Sequence, residues 1–230
     1  MEDTVKLNER IIVALDVDSR EKAVQLAREL AGSGCWLKLG LELYALSGLS
    51  LIDEFKKLGF NIFLDLKLHD IPTTVEKTLR VLVSSGVDMV NVHCSGGYEM
   101  MARAAEVCHR ADKTIIGVTV LTSMGQQEIA SLGVQGSTEQ QVLKLGKLAQ
   151  KASLDGVVAS AQEAPILRQE CGSEFLLVTP GIRPAWSEKN DQVRVLTPKK
   201  ALESGSSYLV VGRPITMAEN PREALNMLWD

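Results

Sequence analysis

The sequence predicts a (β/α)8 barrel, and three observations carry that prediction. Eight short β-branched or Leu-rich runs recur along the chain, at 11–16, 36–40, 61–67, 89–93, 115–120, 156–160, 176–180 and 208–212. They return about every 28 residues, the length of a βα pair in an eightfold barrel of roughly 250 residues. Each run is nearly continuous in apolar residues instead of alternating, as expected of strands covered on both faces.

The elements follow in order. The first run ends in Asp16, and Ser19 opens a helix whose Ala23, Leu26, Ala27 and Leu30 repeat at i, i+3, i+4 and i+7. The second run carries Lys38 late in its length. In the third, Phe63, Asp65 and Lys67 fall on one face of an extended chain, and Leu64, Leu66 and Leu68 on the other. The leucines suit the helix layer, so the two charges are directed inward, where each is costly unless paired. Pro72 sits where a first-turn proline is favoured, and Asp70 just before it can serve that helix's free N–H groups. The fourth run ends in His93. After the fifth, residues 122–136 read as a polar loop longer than a bare βα turn, and Ser137 with Gln140 has capping-box spacing before a helix over 142–152. After the seventh, 183–194 is a second long loop. Both are candidate lids, with plain surface insertions as the alternative. Gly212-Arg213 closes the eighth run.

In a barrel the C-terminal strand ends share one face, so Asp16, Lys38, Asp65, Lys67, Asp70, His93 and Arg213 converge across roughly 200 residues of sequence. A lone Asp-x-Lys pair would read as a structural ion pair plugging the mouth; so many charges aimed at one place read as a functional site. His93 with Asp16, Asp65 and His69 could hold a metal, as in a metal-dependent phosphosugar epimerase, but Lys67 in the same cluster would compete with the cation. Cys94 cannot work with His93, because adjacent strand residues point opposite ways. Gly212-Arg213 before Pro214 also suits a tight turn.

Composition bounds the rest. With 230 residues, 45% apolar and 23% charged, the chain is expected to form one packed domain over 1–230. Twenty-five Lys+Arg against 29 Asp+Glu, a net charge of −4, leave no global positive field for nucleic acid, although a local pocket can still attract an anionic small molecule. Cys35, Cys94, Cys108 and Cys171 form no CxxC pair and read as reduced thiols of a cytoplasmic protein. The apolar stretch at 11–15 stops at Asp16, too short for a secretory segment, and none reaches the length of a membrane span.

Eight motifs stand in order along the chain: Ile-Val-Ala-Leu-Asp at 12–16, Leu-Lys-Leu-Gly at 37–40, Phe-Leu-Asp-Leu-Lys-Leu-His-Asp-Ile-Pro-Thr-Thr-Val at 63–75, Val-Asn-Val-His at 90–93, Val-Thr-Val-Leu-Thr-Ser at 118–123, Val-Thr-Pro-Gly-Ile-Arg at 178–183, Asn-Asp-Gln-Val-Arg at 190–194 and Val-Val-Gly-Arg at 210–213. Together they resemble the bacterial orotidine 5'-phosphate decarboxylase family across 11–221. The resemblance implies removal of CO2 from orotidine 5'-phosphate to give uridine 5'-phosphate, with no cofactor and no metal. It implies that Lys67 donates the proton to C6, that Asp65 and Lys38 form an alternating charge network with Asp70, and that Asp16 and Lys38 reach ribose hydroxyls. It implies that Asp70, Ile71 and Thr74 are lent to the neighbouring subunit of a homodimer. Thr122 and Ser123 would face the pyrimidine edge, and Arg183, Gln192, Gly212 and Arg213 would take the phosphate. That last placement agrees with the usual position of barrel phosphate sites after strands seven and eight. Two rivals stay open: a Mg-dependent decarboxylase or aldolase acting on a sugar phosphate, which chelators would inhibit, and a silent phosphate-ligand binding protein, which a steady-state assay would expose.

Overall fold

The computed structural model describes residues 2–184, 186 and 196–229. Helix α1 (Glu2–Asn8) leads into β1 (Ile11–Ala14), and α2 (Arg20–Leu30) starts where the Ser19 hydroxyl accepts the Lys22 N–H at 3.3 Å. Strand β2 (Trp36–Leu39) precedes two short helices, α3 (Leu41–Ser47) and α4 (Ser50–Lys57). Then come β3 (Ile62–Leu68), α5 (Pro72–Ser84), β4 (Met89–His93), α6 (Tyr98–Arg110), β5 (Thr114–Val118), α7 (Gln126–Ser131) and α8 (Thr138–Lys151). The chain continues through β6 (Gly156–Val158), α9 (Ala164–Cys171), β7 (Leu176–Thr179), α10 (Pro198–Glu203), β8 (Tyr208–Val211), α11 (Arg213–Thr216) and α12 (Pro221–Asn226).

The strands form a closed parallel barrel in sequence order, and β8 returns to β1 through the pairs Ile11↔Leu209, Ile12↔Val210 and Val13↔Val211. This is the (β/α)8 architecture that the sequence predicts. Strand alternation sorts the side chains between two cores. Ile11 and Val13 pack beneath the helices, whereas Ile12 and Ala14 join Phe63, Met89, Ile116, Val178 and Val210 inside the barrel. At the N-terminal strand ends Trp36 and Tyr208 meet edge to face, with centroids 5.4 Å apart, and pack against that inner core. Burying each such side chain contributes about 1.5–3 kcal/mol, so the inner layer is a rigid floor. Toward the C-terminal ends the same inward positions turn polar, with Lys38 on β2, Asp65 on β3 and Asn91 on β4, all buried. At the opposite end, acidic side chains cap the strand starts: Asp88 accepts the Ile62 N–H at 2.8 Å, and Asp155 accepts that of Ile115 at 2.7 Å. Among the described residues no helix is long and apolar enough to cross a membrane.

Three local features depart from the sequence reading. Residues 122–136 are not all loop, since α7 lies within them. Its Glu128 side chain accepts the Gly125 N–H at 3.0 Å, a local cap that compensates for the short length. Helix α5 begins with Pro72 as expected, but its N-cap is Ile71; the Asp70 carboxylate accepts the adjacent Ile71 N–H at 2.7 Å instead of capping the helix. The third departure is in β3. Leu64 pairs with Val90, but the next pair is Leu68 with Val92, so four steps of β3 oppose two of β4. Within this bulge Lys67 has φ +52°, the left-handed region that costs a non-glycine residue about 1–2 kcal/mol. Leu66 and Leu68 still pack on the helix-side core, as the alternation predicts.

Candidate active site

The strand ends enclose a cavity of about 530 Å³. Its floor is apolar, with Phe63, Val118, Val158, Val178 and Val210, and a row of charges crosses one wall. Asp16, two residues past β1, accepts a hydrogen bond from Lys38 Nζ at 3.0 Å. Lys38 Nζ also lies 3.3 Å from Asp65 Oδ2, and Asp65 Oδ1 accepts from Lys67 Nζ at 2.7 Å. Gly40 makes the first of these contacts feasible. A Cβ there would lie 3.2 Å from Lys38 Nζ and 3.3 Å from Asp16 Oδ1, so a side chain would crowd the pair.

The electrostatics follow from burial opposed by neighbours. Burial alone would pull the Lys38 ammonium down, but the carboxylates of Asp65 and Asp16 outweigh it and hold its pKa above the ordinary value. Burial alone would push Asp65 up, but Lys38 and Lys67 outweigh it and hold the carboxyl below the usual range. Lys38 and Asp65 are therefore each held in the charged form by the other. The two lysines differ in access: the Lys38 side chain is 9% exposed and that of Lys67 is 30% exposed. Lys67 is thus the more open ammonium, placed to meet a bound molecule.

Asn91 was not singled out by sequence reasoning, yet it touches this row directly. Its Nδ2 donates to Asp65 Oδ1 at 2.7 Å, and its Oδ1 accepts the Lys67 N–H at 2.8 Å. The signal was present in Val-Asn-Val-His, where a polar residue occupies an inward position two before His93. His93 stands next along β4, its ring centroid 5.4 Å from that of His69. Burial, with His69 and Lys67 nearby, pushes the His93 imidazole below its ordinary value. Cys94 packs in the helix-side core, where burial pushes its thiol up to about 12, so it is no nucleophile.

The opposite wall carries three of the predicted anion-binding groups, Arg183, Gly212 and Arg213. Arg183, buried, and Gly181 follow β7, while Gly212 and Arg213 follow β8 at the start of α11; all four line the cavity. Thr122 lines it after β5, but Ser123 is exposed and stands outside the lining. Gln192 lies outside the described residues. Asp70, Ile71 and Thr74 are exposed and do not line the cavity of their own chain; Ile71 is 67% exposed. The structure therefore brings together Asp16, Lys38, Asp65, Lys67, Thr122, Arg183, Gly212 and Arg213, and leaves Asp70, Ile71, Thr74 and Ser123 facing outward.

The chain is similar to proteins of one kind. A family model described as "Orotidine 5'-phosphate decarboxylase / HUMPS family" matches residues 9–228. Proteins named orotidine 5'-phosphate decarboxylase from Nitrosococcus oceani and Pseudoalteromonas translucida are 50% identical over 221 residues and 49% identical over 217 residues. The first alignment covers 95% of each chain and the second 93%. The crystal structure of orotidine 5'-phosphate decarboxylase from Lactobacillus acidophilus superposes with a TM-score of 0.85 at 36% identity, over 95% of this chain and 96% of that one.

Proposed function

The chain belongs to the orotidine 5'-phosphate decarboxylase / HUMPS family and is a carboxy-lyase that converts orotidine 5'-phosphate to uridine 5'-phosphate and CO2, the final step of pyrimidine biosynthesis; we propose how its residues divide that work. The observation that carries the reading is the pinned row of Lys38, Asp65 and Lys67, with the outer ammonium open to the cavity. Arg183 and Arg213, with Gly212 and Gln192, take the phosphate, and Asp16 with Lys38 takes the ribose hydroxyls. Thr122 faces the pyrimidine, with Ser123 next to it at the rim. The substrate carboxylate is thereby pressed toward Asp65 and meets like charge. When the bond from C6 to the carboxylate breaks, its electron pair stays on C6 and CO2 departs. Lys67 Nζ gives its proton to C6, keeps the N–H electron pair, and is reprotonated from water. A negative C6 meets an ammonium only after the carboxylate charge has left, so the site favours the transition state over the ground state.

The reaction needs no metal or cofactor in this arrangement. Both oxygens of Asp65 are engaged by ammonium and amide donors, so a divalent cation would have to displace one of them. Insensitivity to chelators checks this point. Asp70, Ile71 and Thr74, exposed at the rim, are lent to the cavity of a second copy, which makes the working unit a homodimer with shared sites. The barrel is the chain's one catalytic domain, and four buried free thiols fit a cytoplasmic enzyme, which cell fractionation checks. The primary test is loss of substrate absorbance after addition of orotidine 5'-phosphate. Lys67→Ala is expected to bind uridine 5'-phosphate yet lose at least about 10²–10⁴ in kcat. Retention of more than a tenth of parental kcat would remove Lys67 as the acid.

A further inference from the structure

Lys67 is the only non-glycine residue inside a described strand with positive φ; the other two, Asp112 at φ +55° and Ser153 at φ +62°, follow α6 and α8, where a left-handed residue is a common way to stop a helix. A lysine in a strand has no such excuse and would relax to extended backbone unless held. The bulge also takes the Lys67 N–H out of register with β4, because the ladder passes from Leu64↔Val90 to Leu68↔Val92. The Asn91 side chain supplies the missing acceptor at 2.8 Å. Its other end binds Asp65 Oδ1 at 2.7 Å, the same oxygen that receives Lys67 Nζ at 2.7 Å.

We propose that Asn91 is the positioning residue of the proton donor: it holds the Lys67 backbone in its left-handed turn and fixes the carboxylate on which the Lys67 ammonium rests. The proposal rests on the reading of Lys67 as the acid. A closed circuit results, running from the Lys67 N–H through the Asn91 amide to Asp65 and back to Lys67 Nζ. The partners also dictate the amide's orientation, since the N–H requires the oxygen and the carboxylate requires the NH2. With Asn91 only 1% exposed, an apolar replacement would strand both partners, and a permanently charged acid would repel Asp65.

The test compares Asn91→Ala, Asn91→Asp and Lys67→Ala in the intact enzyme, reading kcat, KM, affinity for uridine 5'-phosphate and the unfolding midpoint. Asn91→Ala is expected to lower kcat about 100-fold, the scale of an ångström of misplacement, while affinity for uridine 5'-phosphate changes less than about threefold. In Asn91→Asp the new carboxyl faces Asp65 and Lys67 on β3; behind Asp65 stand Lys38 on β2 and then Asp16 beyond β1, and two residues along its own strand stands His93 with His69 against it. Its nearest neighbour is a carboxylate, so it binds a proton more tightly than usual. Once protonated it donates to Asp65 as the amide does. Its kcat relative to parent is therefore expected to rise as pH falls from about 8 to about 6, whereas a residue that only fills space would give a constant ratio. A flat ratio overturns the proposal, as does a folded Asn91→Ala within twofold of parental kcat; if Asn91→Ala does not fold, the Asn91→Asp ratio decides alone. Turnover by Lys67→Ala would instead overturn the acid assignment. An inactive Lys67→Ala beside a flat Asn91→Asp ratio would overturn only the role given to Asn91.

Discussion

Asp65 lies between two ammonium groups in a place where a lone carboxylate would be costly. Its pKa is held below the ordinary value, so the stability it contributes is fully present above about pH 3.9 and is lost as pH falls through the lower folded-state value. Lys38 has the opposite sign. Its pKa is raised, so its contribution is present below about pH 10.4 and is lost as pH rises through the higher folded-state value. Between those limits each charge supports the other, and removing one strands its partner. Asp65→Asn is therefore expected to destabilise the protein by about 3 kcal/mol at pH 7, with Lys38 left to Asp16 alone. The deficit should shrink below about pH 4, where Asp65 of the unfolded parent begins to bind a proton while the folded parent still holds it ionised. Urea unfolding at both pH values checks this, and an equal deficit at both would detach the cost from the ion pairs.

Among the elements, β3 and α8 show how differently local chemistry can be read. Helix α8 announces itself: the Ser137 hydroxyl accepts the Gln140 N–H at 3.1 Å, and the Gln140 side chain accepts the Ser137 N–H at 2.9 Å, as the spacing in sequence predicts. Ser137→Ala should cost about 1 kcal/mol and lower Tm by about 2–4 °C, with kcat unchanged, since α8 begins away from the cavity lining. Differential scanning calorimetry with a parallel activity assay decides it. Strand β3 gives no such notice. Its residues Ile-Phe-Leu-Asp-Leu-Lys-Leu read as one uninterrupted strand, and no glycine marks the bulge. The irregularity is stable because Asn91 on the next strand completes it, and a contact of that kind leaves no trace in the residues of β3 themselves.

At the scale of the molecule, a chain of net charge −4 gathers Lys38, Lys67, Arg183 and Arg213 around one cavity, a local positive field suited to a phosphorylated, carboxylated substrate. The outward-facing Asp70 sets the assembly test. If Asp70 serves the neighbouring subunit while Lys67 serves its own, Lys67→Ala and Asp70→Ala proteins should each be nearly inactive alone. Refolded together in equal amounts, about half the dimers are hybrids, each with one intact site of two, and about a quarter of parental activity should return. A refolded mixture that has exchanged subunits and stays inactive would return Asp70 to its own subunit's cavity.

The sequence by itself determined the eight βα units, the inward direction of Asp65 and Lys67, the capped starts of α2 and α8, and the residues after strands seven and eight that line the cavity. These follow from period, caps and strand ends, which are properties of neighbours along the chain. Tertiary structure decided the rest. Asn91 became part of the charged row through partners 24 and 26 residues away, and Lys67 took a left-handed backbone through a shift of register against β4. Each depends on which strand or helix lies beside which. That information enters only when the barrel closes and residues distant in sequence compete for the same hydrogen bonds.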